Sequence, residues 1–229
     1  MTEECPLVSA IMLAGRTSHD NVREAVECFQ TQTYPYKELI IVNNAKNQLK
    51  ASALNISAQK DVFIIDTPQH LTAGMARNYG ISAANGRILA QFDSDFWFDP
   101  DRISVQVAAM GKNNTQISML TKTLNHSFIT GRSSYNTNPQ KTILNTMVFI
   151  RPKDADYPNT DKNEEFGLLN KLNNDNYKIV SVDNPNLACK LQYSDDPVLK
   201  IKSNCLDNKK STKIVQSIIN SKKLLFSNI

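Results

Sequence analysis

The chain has 229 residues, a net charge of +4 at pH 7, 41% hydrophobic residues and 21% charged ones. That length buries a full core, and so ordinary a composition excludes collagenous, disulfide-dense and intrinsically disordered chains. No stretch reaches the roughly 18–20 apolar residues of a membrane span, and Met1-Thr2-Glu3-Glu4 is acidic with no apolar segment behind it, so a cytoplasmic protein is expected, with Cys5, Cys28, Cys189 and Cys205 as reduced thiols.

Short apolar runs alternate with helical patterns through the first half, the mark of βαβ units and a mostly parallel sheet. Leu7–Leu13 reads as a buried strand. Asn21–Gln30 places Val22, Ala25, Val26 and Phe29 on one helix face. Glu38–Val42 is a second strand, Gln48–Ala58 a helix and Val62–Asp66 a third strand. Thr72–Ala84 is a helix expected to stop at Asn85-Gly86 by a glycine signal. Arg87–Phe92 is a fourth strand. Asp99-Pro100 opens a helix running to about Lys112.

In the second half Gln116–Leu124 and Thr142–Arg151 read as strands. Asn125–Gln140 is a long polar connection, in which Arg132 and Tyr135 would serve an acceptor lid. Glu164–Asn173 is a helix and Lys178–Val182 a strand. Asn204–Lys210 reads as a linker before an amphipathic helix over Ser211–Phe226. Its lysines flank an apolar stripe, a pattern for docking to an anionic membrane surface, a partner helix or nucleic acid, with folding back onto the domain as the ordinary alternative. The division expected is one catalytic domain over 1–203, with halves 1–112 and 113–203, followed by the linker and helix of 204–229.

The fourth strand runs into Asp93-Ser94-Asp95. Carboxylates at the end of an apolar strand are costly unless they bind something. Residues two apart on a strand share a face, and two hard oxygen donors suit Mg²⁺ or Mn²⁺ together with substrate phosphates. In open α/β sheets ligands bind beyond the carboxyl ends of the strands. Those ends are Ala14-Gly15-Arg16, Asn43-Asn44, Asp66-Thr67 and Asp93-Ser94-Asp95, enough polar groups for a nucleotide-sized cleft.

Four segments carry a resemblance. Pro6–Met12 looks like the opening strand of family 2 glycosyltransferases with the GT-A fold. Gln32-Thr33-Tyr34-Pro35-Tyr36-Lys37-Glu38-Leu39-Ile40-Ile41-Val42 is similar to their Q-T-Y-x-x-x-E-I-I-I-V segment. Gly74–Ile81 matches the A-R-N-x-G-I stretch, and Asn85–Asp95 the run into their D-x-D. The resemblance covers about residues 6–112 in order, and weakens over 143–182. It implies a GT-A domain, with a mostly parallel central sheet, helices on both faces and a smaller acceptor-side region. It also implies a nucleotide-diphosphate sugar donor and a Mn²⁺ or Mg²⁺ cofactor. Asp95 then holds the metal, Asp93 shares it or touches the donor's ribose or sugar, and Ala14, Arg16, Asn43, Asp66, Arg77 and Ser94 line the donor site. Asn43-Asn44 stands where the family carries Asp-Asp, which leaves the nucleobase open. Without a Q-x-x-R-W signature, transfer of one sugar is expected rather than processive synthesis.

An inverting member needs a base at the start of a helix after the acceptor-side strand, where this chain has Glu164-Glu165. At about 100° per residue, Leu168, Leu169 and Leu172 mark the buried face, Glu165 falls near its centre and Glu164 towards an edge. A helix-start acid that merely complements the dipole is the ordinary alternative. The acceptor classes implied are a glycan, a lipid-linked sugar or a hydroxymethylated DNA base. A sugar-nucleotide nucleotidyltransferase, which Leu13–Arg16 faintly resembles, and a non-catalytic nucleotide- or glycan-binding relative are the competing classes.

Overall fold

The structure, a computed structural model, describes residues 5–15, 18–44, 49, 54, 60–68, 71–137, 143–154, 156–192, 206 and 209–226, with side chains in the last segment described to 220. Arg16, His70, Cys205 and nearly all of the helix expected over Gln48–Ala58 lie outside the described residues.

A seven-stranded sheet has the order β10-β6-β9-β4-β1-β2-β3. Its strands are β1 (Val8–Leu13), β2 (Lys37–Asn43), β3 (Val62–Asp66), β4 (Ile88–Gln91), β6 (Ile117–Leu120), β9 (Ile143–Ile150) and β10 (Ile179–Val182). β9 runs antiparallel to β4 and β6, and the other pairs are parallel. The central strands β1, β2 and β4 are buried almost throughout, as both-face coverage of parallel strands requires.

The helices are α1 (His19–Gln30), α2 (Ala73–Ala83), α3 (Arg102–Asn113), α4 (Glu164–Asn174) and α5 (Lys209–Phe226). Ser18 caps α1 and Thr72 caps α2, each side chain accepting a backbone N–H of the first turn. The start of α3 is capped from a distance: Gln32 Oε1 accepts from Ile103 N at 3.1 Å, while its Nε2 donates to Asp99 O at 2.7 Å. The Gln32 segment is thereby a strut between α1 and α3. Gly86 is not a left-handed helix stop. A Cβ there would stand 2.5 Å from Ser9 Oγ and 2.7 Å from Leu7 O, so the residue is small because strand backbone presses on it.

A second sheet, order β5-β11-β7-β8, joins β5 (Phe96–Phe98), β7 (Lys122–Ser127), β8 (Ser133–Thr137) and β11 (Ala188–Gln192). It corrects the sequence expectation twice. Gln116–Leu124 is not one strand: the chain breaks at Thr121 and passes from the first sheet to the second. Asn125–Gln140 is not a plain connection, because its first part is the β7–β8 hairpin. The hairpin's alternation explains this. Leu124, Tyr135, Cys189 and Leu191 face one way and meet Val215 and Ile218 of α5, while Asn125, Ser127 and Ser134 fall on the other face. The apolar stripe of α5 is thus covered by its own domain, which corrects the expectation of external docking. Tyr135 Oη donates to Ser211 Oγ at 3.1 Å and so belongs to that seam rather than to a lid. Trp97 packs in the same cluster. Among the described residues no helix is long and apolar enough to cross a membrane, and Cys5, Cys28 and Cys189 are free thiols.

Candidate active site

β4 ends at Gln91 and β5 begins at Phe96, so Asp93-Ser94-Asp95 is the passage from one sheet to the other. Phe96 N donates to Asp93 O at 3.2 Å, closing a turn. The two carboxylates therefore do not share a strand face, as the spacing alone suggested. A chain that must leave one sheet for another bends there, and its side chains part. Asp93 looks into the large-sheet side and Asp95 towards the second sheet.

Asp93 is held from two elements. Arg77 Nη2 of α2 donates to Asp93 Oδ1 at 3.0 Å, and Asn145 Nδ2 of β9 donates to Oδ2 at 3.1 Å. The Asn145 contact follows from register: β4 pairs antiparallel with β9 through Ala90↔Val148, and the same ladder carried on sets Asn145 opposite Asp93. The same two donors reach Glu165 Oε1, Arg77 Nη2 at 3.3 Å and Asn145 Nδ2 at 3.4 Å. Arg77 Nε lies 3.6 Å from Glu164 Oε1. One guanidinium thus sits among three carboxylates.

Arg77 was expected to line the donor site. It is 4% exposed, committed to these acids, and only Nη1 and Nε lack a hydrogen-bond partner. Burial alone would lower its pKa, but Asp93, Tyr157, Glu165 and Glu164 outweigh that and hold it above the ordinary value. Burial pushes Glu165 upward, with Arg77 opposing. Both acids of the pair are buried, Glu164 no less than Glu165, which differs from the edge position expected for Glu164. The helix that carries them starts at the left-handed residue Asn163, whose side chain makes no cap. Tyr157 lies against Arg77, 5.7 Å from ring centre to guanidinium, and accepts from Gln91 Nε2 at 2.9 Å. Burial raises its pKa well beyond the ordinary range.

Glycines bring α2 and α4 together. A Cβ on Gly74 would meet Pro158 O at 1.9 Å, and one on Gly167 would meet Pro158 Cγ at 2.5 Å. Gly80 seats α2 on the sheet, since a Cβ there would lie 2.6 Å from Ile11 Cγ2 and 3.0 Å from Val42 Cγ2. Arg77, one turn earlier on the same face, then reaches over the strand ends.

On the other side of the passage, Asp95 Oδ2 is 3.3 Å from Lys190 Nζ of β11. Burial raises the Asp95 carboxyl against the pull of Lys190, and Asp93 adds to the rise. The remaining expected donor-site residues line the strand ends. Ala14 is buried and its N–H donates to Val42 O at 3.0 Å. Ser94 Oγ donates to Leu13 O at 3.3 Å. Asn43 Nδ2 donates to Asp66 Oδ1 at 2.7 Å, directly across the β2–β3 ladder. Asn43 therefore fixes an exposed carboxylate on the neighbouring strand.

Sequence reading missed Asn145, Tyr157 and Lys190. Asn145 was legible as a polar break within an apolar strand, and Lys190 as one side of the alternation Ala188-Cys189-Lys190-Leu191-Gln192. Tyr157, in an irregular segment, gave no signal. Among the described residues no group of three or more His, Cys, Asp or Glu could hold a metal by itself. Mg²⁺ and Mn²⁺ are often held by one or two carboxylates and completed by substrate phosphate and water, and at this passage the more open carboxylate for such an ion is Asp95, with Asp93 two residues away.

Residues 11–159 match the family model Glycosyl transferase family 2. An uncharacterized glycosyltransferase of Methanocaldococcus jannaschii is 28% identical over 118 residues, 50% of this chain and 40% of that protein. The putative glycosyltransferase EpsH of Bacillus subtilis is 32% identical over 99 residues, 43% of this chain and 28% of that protein. The chain spans less than half the length of these curated relatives. S. aureus TarS 1–349 in complex with UDP-GlcNAc superposes with a TM-score of 0.63 at 12% identity, over 93% of this chain and 65% of that one. The mannosyltransferase PcManGT from Pyrobaculum calidifontis, in complex with GDP-Man and Mn²⁺, gives 0.63 at 14% identity, over 87% and 59%. At such identities the likeness establishes the GT-A fold, and with more than half its length matched by the family model the chain belongs to glycosyl transferase family 2.

Proposed function

We propose that this chain moves a single sugar from a nucleotide-diphosphate donor to an acceptor hydroxyl, with inversion, and with Glu165 as the base. The observation that carries the reading is the junction at Asp93: a carboxylate at the C-terminal edge of the parallel sheet, tied through Arg77 and Asn145 to Glu165 on a different element. Structures of this fold with UDP-GlcNAc and with GDP-Man and Mn²⁺ support a nucleotide-sugar donor and a divalent ion.

The donor would lie over the ends of β1, β2 and β3, with Asn43 holding Asp66 towards the nucleoside. Asp95 and Asp93 would hold Mn²⁺ or Mg²⁺, which supplies positive charge for the leaving diphosphate. Both side-chain bonds to Glu165 fall on Oε1. Oε2 is thereby left for the acceptor's hydroxyl proton, while Arg77 fixes the carboxylate's orientation. Burial makes Glu165 a stronger base than a solvated carboxylate. The acceptor would approach from the second-sheet side. Glycans, lipid-linked sugars and hydroxymethylated bases are told apart by analysing the product.

The test is release of nucleoside diphosphate from a panel of sugar nucleotides, UDP-GlcNAc and GDP-mannose among them, with and without Mn²⁺. Metal-dependent release that is lost in Asp95→Ala, with the melting transition kept, is the expected result. Full activity in excess EDTA would overturn the metal's part. Donor cleavage that yields a nucleoside monophosphate and a sugar phosphate would point to a different reaction class.

A further inference from the structure

Lys190 is the one cation that the described structure sets on Asp95, and neither the family's motifs nor the sequence reading gave it a role. β11 lies between β5 and β7, with Lys190 paired to Phe96 on one side and Asn125 on the other. Its neighbours Cys189 and Leu191 are buried in the α5 cluster, so strand alternation turns Lys190 to the opposite, cleft-facing side. The ammonium is steadied there: Nζ stands 5.5 Å from the centre of the Phe96 ring. Leu191 N donates to Asp95 O at 2.9 Å, which fixes the passage against β11. In the same cross-strand row Asn125, 7% exposed, keeps an Oδ1 without a partner. That row thus carries a buried acceptor with no hydrogen-bond partner among the described residues, as expected of a ligand-facing surface.

The ion pair itself is open. The Lys190 and Asp95 side chains are 28% and 35% exposed, and pairs so accessible to water are weak and easily exchanged. The charge count around the passage shows what would exchange with it. Among the described residues, the close ion pairs to Asp93, Asp95, Glu164 and Glu165 come from Arg77 and Lys190, with the buried Arg102 guanidinium acting on Asp93 from further off. The acids still outnumber these cations, so the passage keeps an excess of negative charge that a divalent cation offsets. A diphosphate arriving with that cation restores negative charge at the same place, and a primary ammonium is a compact donor suited to phosphate oxygens.

We propose that Lys190 is a diphosphate-binding residue held in reserve on Asp95: it occupies the carboxylate in the empty enzyme, yields it to the metal, and then pairs with the phosphates of the nucleoside diphosphate. This rests on the nucleotide-sugar reading of the cleft. No bond is made or broken in the exchange, and the lysine stays protonated throughout. The single positive charge that stabilises the unloaded passage thus becomes a second positive charge on the leaving group, beside the metal.

The test uses the intact chain with Lys190→Ala and Lys190→Arg, titrated with Mn²⁺ alone and then, at saturating Mn²⁺, with UDP, GDP, uridine and guanosine. Lys190→Ala is expected to bind Mn²⁺ several-fold more tightly, since its competitor is gone. It is expected to bind the preferred diphosphate at least 10-fold more weakly, with nucleoside affinity unchanged. Lys190→Arg is expected to stay within a few-fold of the wild type for the diphosphate. Unchanged Mn²⁺ affinity or unchanged diphosphate affinity in Lys190→Ala overturns the exchange while leaving the nucleotide-sugar reading intact. If the wild type binds neither UDP nor GDP with Mn²⁺, that reading falls and takes this role of Lys190 with it. A melting curve for each variant shows that the fold is present, and Lys190→Gln serves if the alanine variant does not fold.

Discussion

Arg77 Nη2 stands 3.3 Å from Glu165 Oε1, joining residues 88 positions apart in the chain. The contact brings α2 to the first turn of α4. Arg77 also holds Asp93, so one side chain sets the positions of the acids proposed to serve the metal and to act as the base. Removing it would leave Asp93, Glu164 and Glu165 as uncompensated buried charges. Arg77→Met is expected to destabilise the protein by about 3–5 kcal/mol, the usual cost of breaking a buried pair on one side. Chemical denaturation measures it. Arg77→Lys should recover little, since an ammonium cannot span these acceptors as a planar fork does.

Glu165→Gln keeps shape and removes the proposed base. We expect kcat to fall roughly 10²–10⁴-fold with donor affinity within a few-fold. The pH profile carries a sign. The groups facing Glu165 are Arg77, Asp93, Glu164 and Tyr157, and burial, the largest influence, raises its pKa against Arg77. A base works ionised, so activity should rise with pH through a midpoint above the ordinary carboxylate range. Asp95 is raised too, so metal is kept saturating at each pH. A midpoint at or below the ordinary range would show that a different group limits the reaction.

Glu38 offers a stability test away from the chemistry. It accepts from Ser9 Oγ at 2.5 Å, Asn85 N at 2.6 Å and Asn85 Nδ2 at 3.0 Å. Burial alone would lift its pKa, yet these donors hold it below the ordinary value. A depressed carboxylate adds stability above its unfolded-state pKa of about 4.3 and loses it as pH falls through the folded value. Glu38→Gln should cost about 1–3 kcal/mol at pH 7, and the gap from the wild type should narrow below about pH 4. A gap independent of pH would assign the effect to shape rather than charge.

Gly74→Ala tests the seating of α2. A Cβ 1.9 Å from Pro158 O is met by backbone, not by a side chain that can swing aside. The helix must shift, and both melting temperature and turnover should drop, whereas alanine at Gly111, with nothing within 4 Å, should be tolerated or slightly stabilising. Equal behaviour of the two variants would refute the close contact.

Ile218→Ala measures whether α5 belongs to the domain. Ile218 is 3% exposed in the cluster with Leu124, Cys189 and Leu191, and truncation should cost about 2 kcal/mol or more. An unchanged melt would restore the view of α5 as an external docking element.

The first sheet was legible because its signals are local. Val62–Asp66 was placed to the residue, and Ser18 and Thr72 are the kinds of residue that start helices. The Glu165 side of α4 was legible from three leucines one and two turns on. The second sheet was not. Phe96–Phe98 and Ala188–Gln192 are each too short to announce a strand, and they acquire partners only through contacts between segments far apart in the chain. For the same reason Asp93 and Asp95 looked like neighbours on one strand. A period of two shows which residues could share a face, but not where the chain changes sheets. Asn145 and Lys190 carry ordinary polar side chains, and only strand register assigns them a place beside the two aspartates.

Pro158 has a consequence for how variants of this enzyme are to be interpreted. Pro158, its carbonyl against Gly74 and its ring against Gly167, sets the gap between α2 and α4 by shape, whatever the protonation of the acids around Arg77. Amide replacements that keep volume at Asp93 or Glu165 therefore leave the hinge of the cleft where it was. Their kinetic losses measure missing charge and missing proton acceptors, undistorted by a collapsed frame.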